Sequence, residues 1–164
     1  QKASPDGTCI IEGDEFHDVD IAVAARKVIV TCEELVSNEY IRQDPTLTRV
    51  FGQCVDAVVH APYGAWPSQC YNYYDNDSHN LKEYDKASKY QDAADAEAQI
   101  AKEKAKAEKK GLPYTAPANP ETFKDFLDKW VYSVKDHDEL LDKIGGARLM
   151  RLKNEPHLGY STRH

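Results

Sequence analysis

The sequence predicts an α/β fold in which an open mixed or parallel sheet is flanked by helices. Residues 27–32 and 55–61 are rich in β-formers and lack regular polar alternation, a pattern typical of strands covered on both faces. A third observation is an apolar stripe at helical spacing within residues 119–131, which must pack on a core. With 164 residues and 41% apolar side chains, the chain suits one packed domain.

The first half of the chain alternates short strands and helices. Residues 8–12 are rich in β-formers and predict a strand that stops at Gly13. Asp18 can cap a short helix through Arg26, which leads into the strand of residues 27–32. Ser37 can cap a helix that ends at Gln43, because the following Asp-Pro step disfavours helical backbone. The strand of residues 55–61 then runs into a loop at 62–67.

The second half is predicted to be helical. A long helix over residues 78–110 ends at Gly111, and an extended Pro-rich linker follows at 112–118. Pro120 suits the first turn of the next helix, whose stripe comprises Phe123, Phe126, Leu127, Trp130 and Val131. A last helix over residues 137–144 ends at Gly145, and an amphipathic piece follows at 148–153.

Charge and hydropathy exclude two classes of partner. There are 28 acidic and 21 basic side chains, so the formal net charge is −7, and phosphate-backbone binding is not expected. The longest apolar run, residues 21–25, is too short to span a bilayer, and residues 1–5 lack the apolar core of a signal peptide. We therefore expect no nucleic acid and no membrane partner, and a cytoplasmic location.

Cysteines and metal-ligand residues are present without a metal-binding spacing. The four cysteines contain no CxxC pair and predict reduced, buried thiols. Capping and solvation are favoured over a metal site for the acidic cluster Asp14, Glu15, His17, Asp18 and Asp20. Neither GxxxxGK[ST] nor GxGxxG occurs, so nucleotide hydrolysis and Rossmann redox chemistry are not leading hypotheses.

Several single residues allow two interpretations. Glu33 and Glu34 follow a strand and could line a cleft, although a helix start favoured by the dipole is the preferred interpretation. His60, in a buried strand pattern, and His137, on a helix, are assigned structural roles because no serine or cysteine partner is visible. Cys70 lies in a loop, and burial against nearby tyrosines is favoured over reactivity.

Four groups of segments together resemble a known family. They are residues 3–8 (ASPDGT), 18–22 (DVDIA) with 28–34 (VIVTCEE), 55–59 (VDAVV) running into 61–71 (APYGAWPSQCY), and 130–132 (WVY) with 135–139 (KDHDE). In this order they resemble the C-terminal half of the A subunit of family I CoA-transferases of the glutaconate type. The resemblance implies a CoA-transferase-like, NagB/RpiA-like sheet and assigns residues 1–164 to the C-terminal part of such a domain.

The resemblance implies a function shared with other chains. Such enzymes move CoA from an acyl-CoA, for example acetyl-CoA, to a dicarboxylate such as glutaconate, through a glutamyl-CoA thioester. The nucleophilic glutamate belongs to the B subunit, so no catalytic residue is assigned here and we expect the isolated chain to be inactive. The expected partners are a B-type subunit in a hetero-oligomer and the missing N-terminal half of the A subunit. CoA thioesters and small carboxylic acids are the substrates, with no metal or other cofactor.

The resemblance also suggests which residues line the cleft. Glycine permits close backbone approach, and an amide with a hydroxyl could bind an acyl carboxylate. The candidate cleft residues are Tyr63, Gly64, Ala65, Ser68, Gln69 and Glu33. One departure from the family is residues 91–118, an Ala/Lys/Glu helix with its Pro-rich linker, which we interpret as a helical insertion.

Two other functions remain open from the sequence. A protein with the same fold could hydrolyse or decarboxylate a CoA ester, since function depends on the site rather than the fold. A non-catalytic binding module, with residues 91–118 as an interaction arm, is the alternative from a different class.

Overall fold

The secondary structure was obtained from a computed structural model that describes residues 1–162. The strands are β1 (Lys2–Ala3), β2 (Cys9–Ile10), β3 (Ile29–Cys32), β4 (Glu34–Leu35), β5 (Thr48–Val50) and β6 (Ala57–His60). The α-helices are α1 (Asp18–Ala24), α2 (Asn38–Gln43), α3 (Ser78–Ala87), α4 (Ala93–Lys110), α5 (Phe123–Leu127), α6 (His137–Ile144) and α7 (Gly146–Leu152). Short 3₁₀ turns occupy Pro45–Leu47 and Gly52–Cys54, and a π-helical turn occupies Asp128–Tyr132.

The chain divides into two units, which are described separately. The first unit comprises Gln1–Asp77 and the chain from Ile144 onward, and the second comprises Ser78–Lys143. The α/β class is confirmed, because the first unit contains both mixed and parallel strand pairing with helices. Among residues 1–162, no helix is both long enough and apolar enough to cross a membrane.

The strands of the first unit form two small sheets. In the mixed sheet the order is β4-β1-β2-β5, with β1 and β4 parallel and the other pairs antiparallel. In the second sheet β3 and β6 pair in parallel, with Ile29 opposite Ala57 and Cys32 opposite His60. The core cluster of this unit contains Ala3, Cys9, Ala22, Cys32 and Val50.

The prediction that β3 and β6 are covered on both faces is wrong. Val30, Cys32 and Val58 pack on the core. The alternate residues face outward instead: Ile29 is 71% exposed and Val59 is 45% exposed. Side chains alternate across a strand, so an apolar run can place every second residue in solvent without a visible sequence signal.

The helix boundaries in this unit agree with the sequence in one case and differ in another. Ser37 caps α2, its hydroxyl oxygen accepting from the Tyr40 N–H at 3.2 Å as predicted. In α1, however, His17 occupies the N-cap without a side-chain hydrogen bond, and the helix ends at Ala24 rather than Arg26. Asp18 therefore lies in the first turn, where its charge complements the helix dipole.

In the second unit, the single helix predicted over residues 78–110 is divided into α3 and α4. The Tyr90 and Gln91 carbonyls accept from Phe123 and Lys124 N–H at 2.7 and 3.2 Å, so these carbonyls are taken up by α5. Asp92 then caps α4 by accepting from the Asp95 N–H. This division is a long-range effect that a local helix pattern does not contain.

The ends of these helices show how local chemistry sets the boundaries. Gly111 ends α4 with a φ of 66°, the left-handed C-cap that the sequence predicts. Helix α5 begins at Phe123 rather than at Pro120, because Thr122 and Asp125 form a capping box. Phe126 and Trp130 are buried as the stripe predicts, whereas Val131, in the π-helical turn, is 50% exposed.

Candidate functional site

The candidate site lies at the carboxyl edge of the parallel β3–β6 pair. Because Cys32 is opposite His60, Glu33 and the segment from Ala61 leave the sheet side by side. The Ala61 N–H donates to the Cys32 carbonyl at 2.9 Å and continues the pairing by one step. Open α/β sheets bind ligands at this edge.

The Glu33 carboxylate organises the segment that follows β6. Its Oε2 accepts from the Tyr63 N–H at 2.6 Å, and its Oε1 accepts from the Tyr74 hydroxyl at 2.6 Å. The same Tyr74 oxygen accepts from the Ala65 N–H at 2.9 Å. Glu33 therefore supports the turn with both of its oxygens.

The expectation that Glu33 and Glu34 start a helix is wrong. Glu33 connects β3 to β4, its N–H donating to the Gln1 carbonyl at 2.8 Å, and Glu34 belongs to β4. Edge strand β4 pairs with β1, which prevents a helical turn at these residues. The Glu34 Oε1 accepts from the Tyr73 hydroxyl at 2.8 Å.

We call residues 61–70 the cleft turn. Successive backbone bonds close it, from Gly64 N–H to the Ala61 carbonyl at 2.8 Å and from Ser68 N–H to the Ala65 carbonyl at 2.8 Å. Tyr63 has a φ of 59°, a left-handed conformation that costs free energy in a non-glycine residue and is held by the Glu33 bond. A side chain at Gly64 would bring its Cβ to 2.7 Å from the Ala61 oxygen.

Two stacked tyrosines form the buried side of the cleft turn. The Tyr63 and Tyr74 rings lie 4.7 Å apart between centroids, and Tyr74 is buried. Burial, with the Glu33 carboxylate nearby, raises the pKa of both phenols above the ordinary value. Both hydroxyls are therefore neutral at physiological pH, and Tyr74 donates to Glu33.

The predicted cleft residues are brought together in part. The Glu33 carboxylate accepts directly from the Tyr63 N–H, and the Tyr74 hydroxyl links it to the Ala65 N–H. Gly64 lies between Tyr63 and Ala65 in the chain. Ser68 and Gln69 lie at the far end of the same turn, where both side chains are exposed. Glu33 differs from the other five residues because both carboxylate oxygens are already bonded within the protein.

At this edge the structure contradicts the prediction for His60 and agrees with the prediction for Cys70. The expectation that His60 lies in a buried strand is wrong, since its ring is exposed. Its Nε2 lies 3.1 Å from the Glu33 carbonyl, which can accept a hydrogen bond from this nitrogen. Cys70 is half-buried, and burial raises its pKa to about 11, which agrees with an unreactive thiol.

The remaining candidate ligands do not form a metal site in the described structure. Glu15 pairs with Arg49 at 2.6 Å, and His17 lies 3.8 Å from Asp20 on the surface. Within residues 1–162, no three His, Cys, Asp or Glu side chains are grouped to hold a metal ion. The four cysteines are free thiols, with Cys9 and Cys32 buried.

Sequence reasoning missed an ion pair with a buried carboxylate next to the cleft turn. Arg148, on α7, forms two hydrogen bonds with the Asp77 carboxylate, which is nearly completely buried. Asp77 precedes the start of α3 and resembles an ordinary helix cap in sequence. The available signal was an arginine inside the otherwise apolar piece 147–150.

Comparison with known proteins shows a relative with about half of its aligned residues identical. The chain is 49% identical over 160 residues to the A subunit of glutaconate CoA-transferase from Acidaminococcus fermentans, and the match covers 98% of this chain and 41% of that protein. It is 28% identical over 153 residues to an uncharacterized protein of Archaeoglobus fulgidus, covering 93% of this chain and 28% of that protein. No protein-family model matches the chain.

A solved structure gives the same result. The crystal structure of glutaconate coenzyme A-transferase from Acidaminococcus fermentans matches with a TM-score of 0.76 at 48% identity, covering 98% of this chain and 42% of that one. This chain thus spans about two fifths of the length of its characterised relative. The resemblance predicted from the four groups of segments is confirmed: across nearly its whole length, this chain is similar in sequence and fold to part of the A subunit of a glutaconate CoA-transferase.

Proposed function

We propose that this chain is part of the A subunit of a cytoplasmic CoA-transferase that moves CoA between an acyl-CoA and a small dicarboxylic acid. The observation that carries the proposal is the 49% identity, over 98% of the chain, to the A subunit of a glutaconate CoA-transferase. The proposal includes acetyl-CoA as donor, glutaconate as acceptor and a B-type subunit as partner.

The proposed chemistry divides thioester exchange into balanced steps. A glutamate of the B-type partner attacks the acyl-CoA carbonyl, so that the C–S bond breaks and an acyl-glutamyl anhydride and CoA thiolate form. The thiolate attacks the glutamyl carbonyl and releases the donor carboxylate, leaving glutamyl-CoA. The acceptor carboxylate then reverses both steps, and a new acyl-CoA forms while the glutamate is regenerated.

This chain is proposed to bind and orient the acid rather than to react with it. The two bonds at Glu33 support this role, since both carboxylate oxygens already serve as acceptors. The Ser68 hydroxyl and the exposed Gln69 amide can donate to a substrate carboxylate. Tyr63, Gly64 and Ala65 then provide the fixed backbone that positions these two donors.

The activity is tested on a purified complex of the full A and B subunits with acetyl-CoA and glutaconate. A transferase forms acetate and a new glutaconyl thioester in equal amounts, followed by liquid chromatography with mass spectrometry. Free CoA without a new thioester would indicate a hydrolase and overturn the proposal. Release of CO₂ from glutaconyl-CoA would indicate a decarboxylase and would also overturn it.

The acid-binding role is tested with Ser68→Ala and Gln69→Ala in that complex. Loss of one hydrogen bond to a charged group should raise KM for the acid by roughly 10- to 100-fold, because such bonds contribute about 1.5–3 kcal/mol. Gln43→Ala, at the exposed end of α2, is the matched control and should leave KM unchanged. Unaltered kcat/KM for every donor and acceptor in both variants would refute the role of these residues.

A further inference from the structure

An ion pair between the half-buried Arg148 and the buried Asp77 lies next to the cleft turn. The Arg148 Nε lies 2.5 Å from the Asp77 Oδ2, and its Nη2 lies 2.8 Å from the Oδ1, so the pair is bidentate. Asp77 is 3% exposed. A buried charge is retained only when its hydrogen bonds are well arranged, and this arrangement fixes the carboxylate in one orientation.

The fixed carboxylate is bonded in turn to the cleft turn. The Trp66 indole Nε1–H donates to the Asp77 Oδ2 at 2.9 Å, and the Asp77 backbone N–H donates to the Pro67 carbonyl at 2.8 Å. Trp66 and Pro67 immediately precede Ser68 in the chain. The pair therefore holds the backbone on one side of the two proposed donors.

The other side of the donors is held by strand-like pairing. The Cys70 N–H donates to the Tyr74 carbonyl at 2.9 Å, and Tyr74 also bridges to Lys153 just after α7. The Asp75 N–H donates to the Leu152 carbonyl at 2.9 Å. Arg148 and this pairing thus anchor both sides of the Ser68–Gln69 step to the same short C-terminal segment.

We propose that Asp77 and Arg148 are positioning residues for acid recognition, setting the placement of Ser68 and Gln69 through Trp66 and Pro67. This inference rests on the proposed function and extends it to two residues that do not contact the substrate. Because binding of the acid depends on where the two donors lie, the bidentate geometry should matter as well as the charge.

The test compares Arg148→Lys with the unaltered complex of the A and B subunits. Lysine keeps the charge but presents a single ammonium group, so it cannot reproduce the two parallel bonds of the guanidinium. We expect KM for the acceptor acid to rise about tenfold, with kcat within threefold and KM for the CoA ester unchanged. A merely structural defect would lower kcat for all substrates and leave KM for the acid as it was.

Two further variants make the outcome decisive. Trp66→Phe removes the indole donor while keeping an aromatic ring, and should also raise KM for the acid. This variant provides the test if Arg148→Lys fails to fold. Arg151→Lys, exposed on the same helix, is the control and should change neither constant. An unchanged KM for the acid in folded Arg148→Lys or Trp66→Phe overturns the positioning role alone. If the complex without substitutions transfers no CoA, the proposed function is overturned and this inference with it.

Discussion

The cleft turn has an irregular backbone that is held by buried side chains, whereas helix α4 has a regular backbone and is mostly exposed. The cleft turn is irregular, yet the Glu33 and Asp77 carboxylates hydrogen-bond to it from two sides. Helix α4 is 18 residues of regular structure, yet Ala96 is buried while most of its other side chains are exposed. The comparison teaches that buried partners, rather than regular geometry, determine which segment keeps one conformation.

The largest effect should come from removing the carboxylate that holds the cleft turn. Glu33→Ala leaves the Tyr63 N–H and the Tyr74 hydroxyl without their acceptor, and should lower the free energy of unfolding by about 3 kcal/mol. Urea denaturation measures this change. Glu39→Ala, at an exposed ion pair 3.9 Å long, should cost under about 0.5 kcal/mol. Equal losses in the two variants would contradict the role given to Glu33.

A smaller effect should appear at alkaline pH. The raised pKa of Tyr74 means that, above pH about 10, this phenol ionises in the unfolded chain before it ionises in the folded one. Its contribution to stability is therefore complete below that pH and is lost as the pH rises further, by up to about 1.4 kcal/mol per pH unit. Tyr74→Phe should flatten this fall.

The measurement is urea denaturation of both proteins between pH 8 and 11. Lysines and other groups that titrate in this range are common to the two proteins and cancel in the difference. Parallel stability curves across the range would show that the Tyr74 phenol does not hold its proton in the fold.

The smallest effect should come from α4. Ala98→Gly weakens an exposed helix interior by about 1 kcal/mol locally, since glycine loses more backbone entropy on folding. Amide hydrogen exchange should accelerate within Ala93–Lys110, while protection of residues 61–77 should change by less than about 0.5 kcal/mol. A matched loss of protection in both segments would show that α4 is not independently mobile.

Local chemistry made part of this structure predictable from sequence. The Ser37 cap, the Gly111 C-cap and the α/β class follow from preferences that act within a few residues. The division of α3 from α4 could not be predicted in this way, because it depends on a hydrogen bond between Tyr90 and Phe123, which are distant in the chain. The exposed face of β3 depends likewise on what the rest of the fold covers.

The sequence predicted which segment forms the candidate site, but not the side chains that hold this segment in place. The motif at residues 61–71 identified the cleft turn, and strand ends placed Glu33 near it. The two bonds of that carboxylate and the Asp77–Arg148 pair join residues up to 71 positions apart, so no spacing in the sequence reveals them. The role of residues 91–118 as an insertion stays a prediction.

The parallel pairing of β3 with β6 makes strand alignment and site assembly one event. A slip of one residue would turn alternate side chains to the opposite face and carry Glu33 away from the Tyr63 N–H. A misaligned chain would thus lose the support of its cleft turn as well as its core contacts. The carboxylate that shapes the proposed binding edge therefore also favours the native strand alignment over a one-residue slip.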